Sequence, residues 1–404
     1  MSDLFIFSGL FCQADAIIKR LLDDIDFRLV TDSDLVADAA ALGGMSESAV
    51  AKAFSHKTSI FNKFSREKER AVSWLRLALA RKLAEEHPLL VSGMVTQLLS
   101  QEISHVLKVC IIDDLPKRLE IARNESGLSA NLAGKEILHT DEDRTVWVRE
   151  VTGSNDPWFA SLYDMVIPAG KTGVDESVAL ITEQLRNAAV EVTDASKQAV
   201  QNFILAARVE TELVSTGHNV SVTAENGKVN LAINKKVLMI ERLEKELREI
   251  TEPIEGVKEV EVTVGKEFYE ADIYRRVDFE LPSRVLLVDD EREFVKTLSE
   301  RLLLRDLGSA VVFDGESALS VVEDDEPEVM ILDLKMPGID GIEVLRRVKS
   351  TSPKMEIIIL TGHGSDEDRK TCMELGAFAY LNKPVDIDVL SNTLKEAYAK
   401  VRNS

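Results

Sequence analysis

From Arg284 onward, four short apolar runs recur, each closing on a polar residue: "RVLLVDDE", "VMILDLKMPGIDG", "EIIILTGHG" and "AYLNKP". Each run predicts a buried strand, and helical patterns alternate with the strands at regular spacing. Such alternation requires a parallel sheet, in which all strand ends meet at one edge and ligands bind. That edge collects the carboxylates of Asp289, Asp290 and Asp333, the hydroxyl of Thr361 and the ammonium of Lys383. Carboxylates with neither histidine nor thiolate among them suit a hard octahedral cation such as Mg2+, which keeps waters and takes a phosphate oxygen. With charge neutralised in this way, one carboxylate can attack a phosphoryl group while the hydroxyl and ammonium steady its equatorial oxygens.

Taken singly, a strand-end Asp is more often a helix cap, Thr361 a turn residue, Lys383 a solvated charge and Tyr380 a half-buried aromatic. Together and in this order they resemble the receiver domain of two-component response regulators, over residues 284–402. The resemblance implies a flavodoxin-like (βα)5 fold with Asp333 as phosphoacceptor. It implies Mg2+ held by Asp289, Asp290, Asp333 and the backbone carbonyl of Lys335. Thr361 then matches the switch hydroxyl, Lys383 the lysine that contacts the phosphoryl group, and Tyr380 the rotating aromatic. A cis bond is implied at Lys383-Pro384. The implied partners are a sensor histidine kinase or phosphotransfer protein, with a second copy of the chain or an unnamed output partner beyond them. His363 reads as a loop residue, because the site already has its nucleophile. The receiver comes last in the sequence, so any output within the chain is expected upstream.

Residues 1–187 also alternate strand runs ("LFIFS", "RLVTD", "LLVSG", "LKVCIID", "YDMVI") with amphipathic helices, which predicts a second parallel sheet. The first strand runs into Gly9 and then a helix, the outline of a phosphate-cradling P-loop. Counted from Gly9 in the pattern G-x-x-x-x-G-K-[ST], the second glycine is Ala14, the lysine Asp15 and the hydroxyl residue Ala16. A carboxylate about 4 Å from a phosphate repels it by about 1 kcal/mol in water-like surroundings and about 4 at an effective dielectric near 20.

The later segments, "FRLVTDSDLVADAAALGGMSESAV", "VLKVCIIDDLPKRLEIA", "DEDRTVWVRE" and "SLYDMVIPAGKTGVDESVALI", are similar to the cytidylate kinase-like family. That resemblance implies a P-loop-kinase-like sheet, with Arg118, Arg123, Arg144 and Arg149 as candidate nucleotide contacts; surface arginines paired with nearby acids are the plainer reading. The altered loop predicts a pseudoenzyme. The rival reading is a phosphorylation-regulated nucleoside monophosphate kinase of the CMP type.

Residues 190–268 change character: a helix, two alternating strands joined at Asn226-Gly227, a second helix and a last strand, "VKEVEVTVG". The Asn-Gly pair is a strong hairpin signal. The order resembles the small α/β BON domain; a connecting subdomain is the alternative. His218 beside a glycine reads as a turn residue. Residues 269–283 read as a linker before the receiver-like block at 284–404.

Bulk properties bound the partners. A formal net charge of −21 argues against nucleic-acid binding as a main activity. The three cysteines, Cys12, Cys110 and Cys372, are scattered without a CxxC pair, which suits buried thiols in a reducing compartment. No apolar run is long enough to span a bilayer and no signal peptide is evident, so the expected location is the cytoplasm, without membrane insertion.

Overall fold

The computed structural model describes residues 2–56, 66–234, 237, 240–265, 284–303, 305, 307–362 and 364–402. The linker expected at 269–283 and the loop residue His363 lie outside the described residues. The chain divides into two compact units, one holding residues 2–56 and 68–265, the other built on 284–402.

The first unit is built on five parallel strands: β1 (Asp3–Ser8), β2 (Arg28–Thr31), β3 (Leu89–Ser92), β4 (Val106–Ile111) and β5 (Met165–Ile167), in the order β2-β3-β1-β4-β5. Strand β1 shows why both faces must be covered. Leu4 and Ile6 enter one core, while Phe5 and Phe7 enter another on the opposite face. All four are essentially buried, each contributing about 1.5–3 kcal/mol. The covering helices are α1 (Ala14–Asp24), α2 (Asp32–Gly43), α3 (Glu67–Leu83), α4 (Leu115–Ser126), α5 (Ala130–Thr152) and α6 (Val174–Gln184). Thr31 ends β2 and caps α2, its hydroxyl accepting from Asp34 N–H while the Asp34 carboxylate accepts from Thr31 N–H.

Helix α7 (Asp194–Ser215) serves two cores at once. Ala199, Val200, Phe203 and Ala207 join the core beneath the parallel sheet. Leu205, Val209 and Leu213 pack instead with Val229, Leu231 and Ile233 in a small three-stranded core. The described residues of 2–56, 68–187 and 190–265 therefore lie in one compact unit. The small sheet holds β6 (Ser221–Glu225), β7 (Lys228–Ile233) and β8 (Glu259–Val264); β6 and β7 are antiparallel, β7 and β8 parallel across helix α8 (Ile240–Thr251). Asn226 and Gly227 both have positive φ, 51° and 92°, as a two-residue type I′ hairpin requires. His218, expected in a turn, does follow α7 beside Gly217 but is buried, its ring 3.6 Å from the Glu246 carboxylate.

The second unit is a five-stranded parallel sheet of flavodoxin-like order: β9 (Val285–Val288), β10 (Ser309–Val312), β11 (Val329–Leu332), β12 (Glu356–Thr361) and β13 (Ala379–Asn382), arranged β10-β9-β11-β12-β13. Helices α9 (Arg292–Leu303), α10 (Gly315–Asp325), α11 (Gly341–Thr351), α12 (Asp366–Glu374) and α13 (Ile387–Arg402) complete it. Val285 and Leu287 face one core, with Leu390 and Leu394 of α13. Leu286 and Val288 face the other, with Val344 and Val348 of α11. That two-sided burial is why the strand sequences are continuously apolar rather than alternating.

Candidate functional site

Two strands deliver the carboxylates of the second unit's edge, and a third delivers a lysine. Asp289 follows β9 directly and Asp333 follows β11; each is buried, at 4% and 5% exposure, whereas Asp290 is exposed. Backbone pairing fixes the register, with Asp333 N–H donating to Val288 carbonyl at 3.0 Å. One carboxylate oxygen from each of Asp289, Asp290 and Asp333 lies within 4.8 Å of the others. Lys383, just past β13 and joined to Pro384 by a cis bond, reaches into this group. Its Nζ lies 2.6 Å from Asp289, 3.2 Å from Asp333 and 3.2 Å from Glu291.

The electrostatics follow from this crowding. Burial raises the Asp289 carboxyl above its ordinary range, outweighing the hydrogen bond from Lys383 and the N–H donated by Glu291. Burial also pulls Lys383 downward, but its contacts with Asp289, Asp333 and Glu291 prevail and raise it. Asp333 Oδ1 accepts from Leu334 N–H at 2.7 Å and Lys335 N–H at 3.5 Å, leaving Oδ2 toward Lys383. The donors are all hard oxygens around a buried acidic centre, a set that fits Mg2+ and offers nothing to softer metals.

Thr361 closes β12 and is buried; its carbonyl accepts from Lys383 N–H at 2.9 Å. Tyr380 pairs across from Ile359 in β13 and is half-buried, with the Arg369 guanidinium 5.9 Å over its ring. Burial raises its hydroxyl above the ordinary tyrosine value. The structure therefore gathers Asp289, Asp290, Asp333 and Lys383 into one cluster, with Thr361 at the adjoining strand end and Tyr380 one strand register away. Glu291 was missed in the sequence; its position directly after the acidic pair is the signal that points to it.

The first unit's sheet edge is organised differently. Gly9 N–H donates to Ile111 carbonyl at 3.0 Å, so it serves β4. Phe11 and Gln13 adopt positive φ, 59° and 58°, before α1 begins at Ala14. Ala14 is buried, while Asp15 and Ala16 are exposed. Carbonyl oxygens of this segment face inward and are taken by arginine. Arg118 Nε donates to Leu10 carbonyl at 2.8 Å and Arg144 Nε to Ser8 carbonyl at 2.8 Å. Arg118 is buried and also makes a bidentate pair with Asp141 at 2.7 and 2.8 Å.

Arg118 and Arg144 thus reach the loop, whereas Arg123 and Arg149 do not. Each lies five residues further along its helix, about 140° around the axis, and is exposed. Of the four candidate contacts, Arg118 and Arg144 thus stand at the loop, and Arg123 and Arg149 stand exposed, as the plainer reading has them. Asp32, at the start of α2, was not singled out in the sequence. Its carboxylate accepts from Met94 N–H at 2.8 Å and Val95 N–H at 2.9 Å, and burial raises it above the usual range.

Comparison with known proteins finds one family match within each unit. Residues 285–395 match the response regulator receiver domain family, and residues 6–171 match the cytidylate kinase-like family. Response regulator MprA of Mycolicibacterium vanbaalenii is 34% identical over 110 residues, 27% of this chain and 48% of that protein. The transcriptional regulatory protein GlrR of Escherichia coli K12 is 34% identical over 116 residues, 29% of this chain and 26% of GlrR. The chain thus spans about half or less of the curated relatives it matches. Among solved structures, a receiver domain from Clostridium thermocellum is 30% identical, covering 30% of this chain and 96% of that one at a TM-score of 0.29. The Francisella response regulator 1452 receiver domain is 28% identical, covering 30% and 99% at a TM-score of 0.29. No helix among the described residues is long and apolar enough to cross a membrane. The chain thus carries a stretch that matches the cytidylate kinase-like family ahead of one that matches the response regulator receiver domain family.

Proposed function

We propose that this protein is a phosphorelay response regulator whose phosphoacceptor is Asp333. The observation that carries the reading is the cluster itself: two buried carboxylates and an exposed third at one parallel-sheet edge, bridged by the Lys383 ammonium. A sensor histidine kinase or phosphotransfer protein supplies the phosphoryl group. A carboxylate oxygen of Asp333 attacks phosphorus; the new O–P bond forms as the P–N bond to the donor histidine breaks. The electron pair stays with the imidazole, which takes up a proton. Asp289, Asp290, Asp333 and the carbonyl of Lys335 would hold Mg2+, which offsets negative charge on the phosphoryl oxygens. Lys383 is placed to meet those oxygens, and Thr361 to turn toward them from the next strand end. Movement of Thr361 makes room for Tyr380 to turn, changing the surface around β12 and β13.

In the same reading the N-terminal segment and the small α/β part, BON-like in its order of elements, carry the signal onward through altered contacts, without phosphoryl transfer of their own. Arg118 and Arg144 each commit Nε to a carbonyl of the loop and another donor to α5, and that supports a contact or sensing role over the CMP-kinase alternative. The reading places the protein in the cytoplasm, where its kinase partners deliver phosphate. Labelling of the full chain with radioactive acetyl phosphate in Mg2+ tests the central claim. Incorporation is expected in the wild type and absent in Asp333→Asn; equal incorporation in both, at the same peptide, overturns it.

A further inference from the structure

Besides the residues already described, the first unit brings together two imidazoles and a carboxylate. His139 and Asp143 stand four residues apart on α5, one helical turn, so their side chains are neighbours on one face. His56 comes from a different segment, just past the 3₁₀ turn Lys52–Phe54. Its ring lies edge-on to that of His139, with centroids 4.9 Å apart. Each of His56, His139 and Asp143 offers one ligand atom within 4.8 Å of the other two. We propose that His56, His139 and Asp143 bind a divalent transition-metal ion of the Zn2+ class, with the remaining position left to water.

Three features favour an ion over a simple hydrogen-bonded pair. The first is spacing. A tetrahedral ion about 2.1 Å from each donor needs donors about 3.4 Å apart. The separations here bracket that value: 2.7 Å from His56 Nδ1 to Asp143 Oδ1 and 4.0 Å from His139 Nε2 to Asp143 Oδ2. The second is that the carboxylate is held independently of the ring. His56 backbone N–H also donates to Asp143 Oδ1, at 2.6 Å, so Asp143 stays in place when the imidazole turns toward a cation. The third is packing. Phe54, two residues before His56, meets Trp147 edge-to-face at 4.8 Å, and Trp147 is one turn beyond Asp143 on the same helix. That buried contact fixes how closely the His56 segment approaches α5 before any ion arrives.

Charge and donor chemistry select the ion. Glu142 adds a second carboxylate 3.9 Å from His56 Nε2, so the group attracts a cation when its imidazoles are neutral. Two nitrogens and an oxygen are the donors preferred by Zn2+, Co2+ or Ni2+, and are poor ligands for Mg2+. The acidic edge of the receiver has the opposite preference, so the two sites take different metals and can be titrated apart. A bound ion would tie the segment that holds His56 to α5, joining residues of the first unit that lie 87 positions apart at the His56–Asp143 contact.

The test uses the full chain without a polyhistidine tag, in excess Mg2+ to occupy the receiver edge. Zn2+ binding is measured by calorimetry, and Co2+ by its visible absorption. The wild type is expected to bind one Zn2+ that His139→Ala and Asp143→Asn each weaken by at least about tenfold. Zn2+ is also expected to raise the unfolding temperature of the wild type and not that of the variants. His139 is more than half exposed, so its removal leaves the fold intact, and His139→Gln serves as a second variant of similar shape. Wild-type affinity in both His139 variants, or no Zn2+ bound by the wild type, overturns the assignment.

Discussion

Replacing Lys383 by Met keeps an unbranched apolar side chain of similar length and removes the ammonium. That ammonium stands 4.5 Å over the Phe294 ring while touching Asp289 and Asp333. Unit charges 4 Å apart attract by about 4 kcal/mol at an effective dielectric of 20, and both carboxylates are nearer than that. Burying three charged groups offsets most of the attraction, so the pair itself adds little net stability. Removing one partner is another matter. It leaves two buried carboxylates uncompensated, at a cost of about 3–5 kcal/mol.

In EDTA, Lys383→Met should therefore open β9 and β11 more readily by that amount. Amide exchange at Val285–Val288 and Val329–Leu332 should accelerate by about two to three and a half orders of magnitude. Mg2+ at a hundredfold excess over its Kd should then return about 2.7 kcal/mol. The variant should also bind Mg2+ more tightly than the wild type, because no ammonium competes for the carboxylates. Hydrogen exchange by mass spectrometry on the full chain, in EDTA and in Mg2+, reads both effects. Unchanged protection in EDTA, or equal protection of both proteins by Mg2+, would refute the reasoning.

Two further perturbations act elsewhere. Burial pushes Asp3 up to about 6 against the Leu89 N–H that it accepts at 2.8 Å. A raised carboxylate costs stability once it ionises, so Asp3→Asn should add up to about 3 kcal/mol above pH 6 and progressively less as pH falls toward 4; a pH-independent gain in urea titrations would contradict this. At Gly364 an added Cβ would lie 1.6 Å from the Tyr380 hydroxyl. Gly364→Ala should therefore displace the Tyr380 ring at a cost of about 1–3 kcal/mol, and unchanged tyrosine ring resonances by NMR would count against it.

The strands of both parallel sheets could be read directly, because burial on two faces makes runs such as Val285–Val288 and Leu4–Phe7 continuously apolar. The Asn226-Gly227 hairpin could be read because its two positive φ values suit few other residue pairs. Receiver residues were legible for a related reason: each sits at a strand end, so the topology of the sheet alone brings them to one edge. What escaped depends on how helices pack. Nothing local distinguishes Arg118 from Arg123, or Arg144 from Arg149. Only the rotation of α4 and α5 over the sheet decides which of each pair meets Leu10 and Ser8. His56 and His139 are separated in the same way; the four-residue spacing of His139 and Asp143 is the one local hint. The double duty of α7 was likewise hidden, since its apolar positions read as one stripe until two cores claim alternate parts of it.

The two sheet edges show how one architecture supports opposite uses. In the first unit the loop after β1 turns carbonyl oxygens inward, and a carbonyl cannot receive a phosphate. Guanidinium groups fill the space instead, with Arg118 further committed to Asp141. A phosphate entering there would have to displace a buried bidentate pair and strand two carbonyls, a loss no surface interaction nearby would offset. In the second unit the imbalance is reversed. Asp289, Asp333 and Glu291 share the Lys383 ammonium, and the Asp290 carboxylate stands beside Asp289 and Asp333. Carboxylates therefore outnumber the positive charge at the place where Asp333 is buried and oriented. That surplus favours a cation at the edge, and it is the reason the proposed phosphoryl transfer is assigned to Asp333 rather than to the loop after β1.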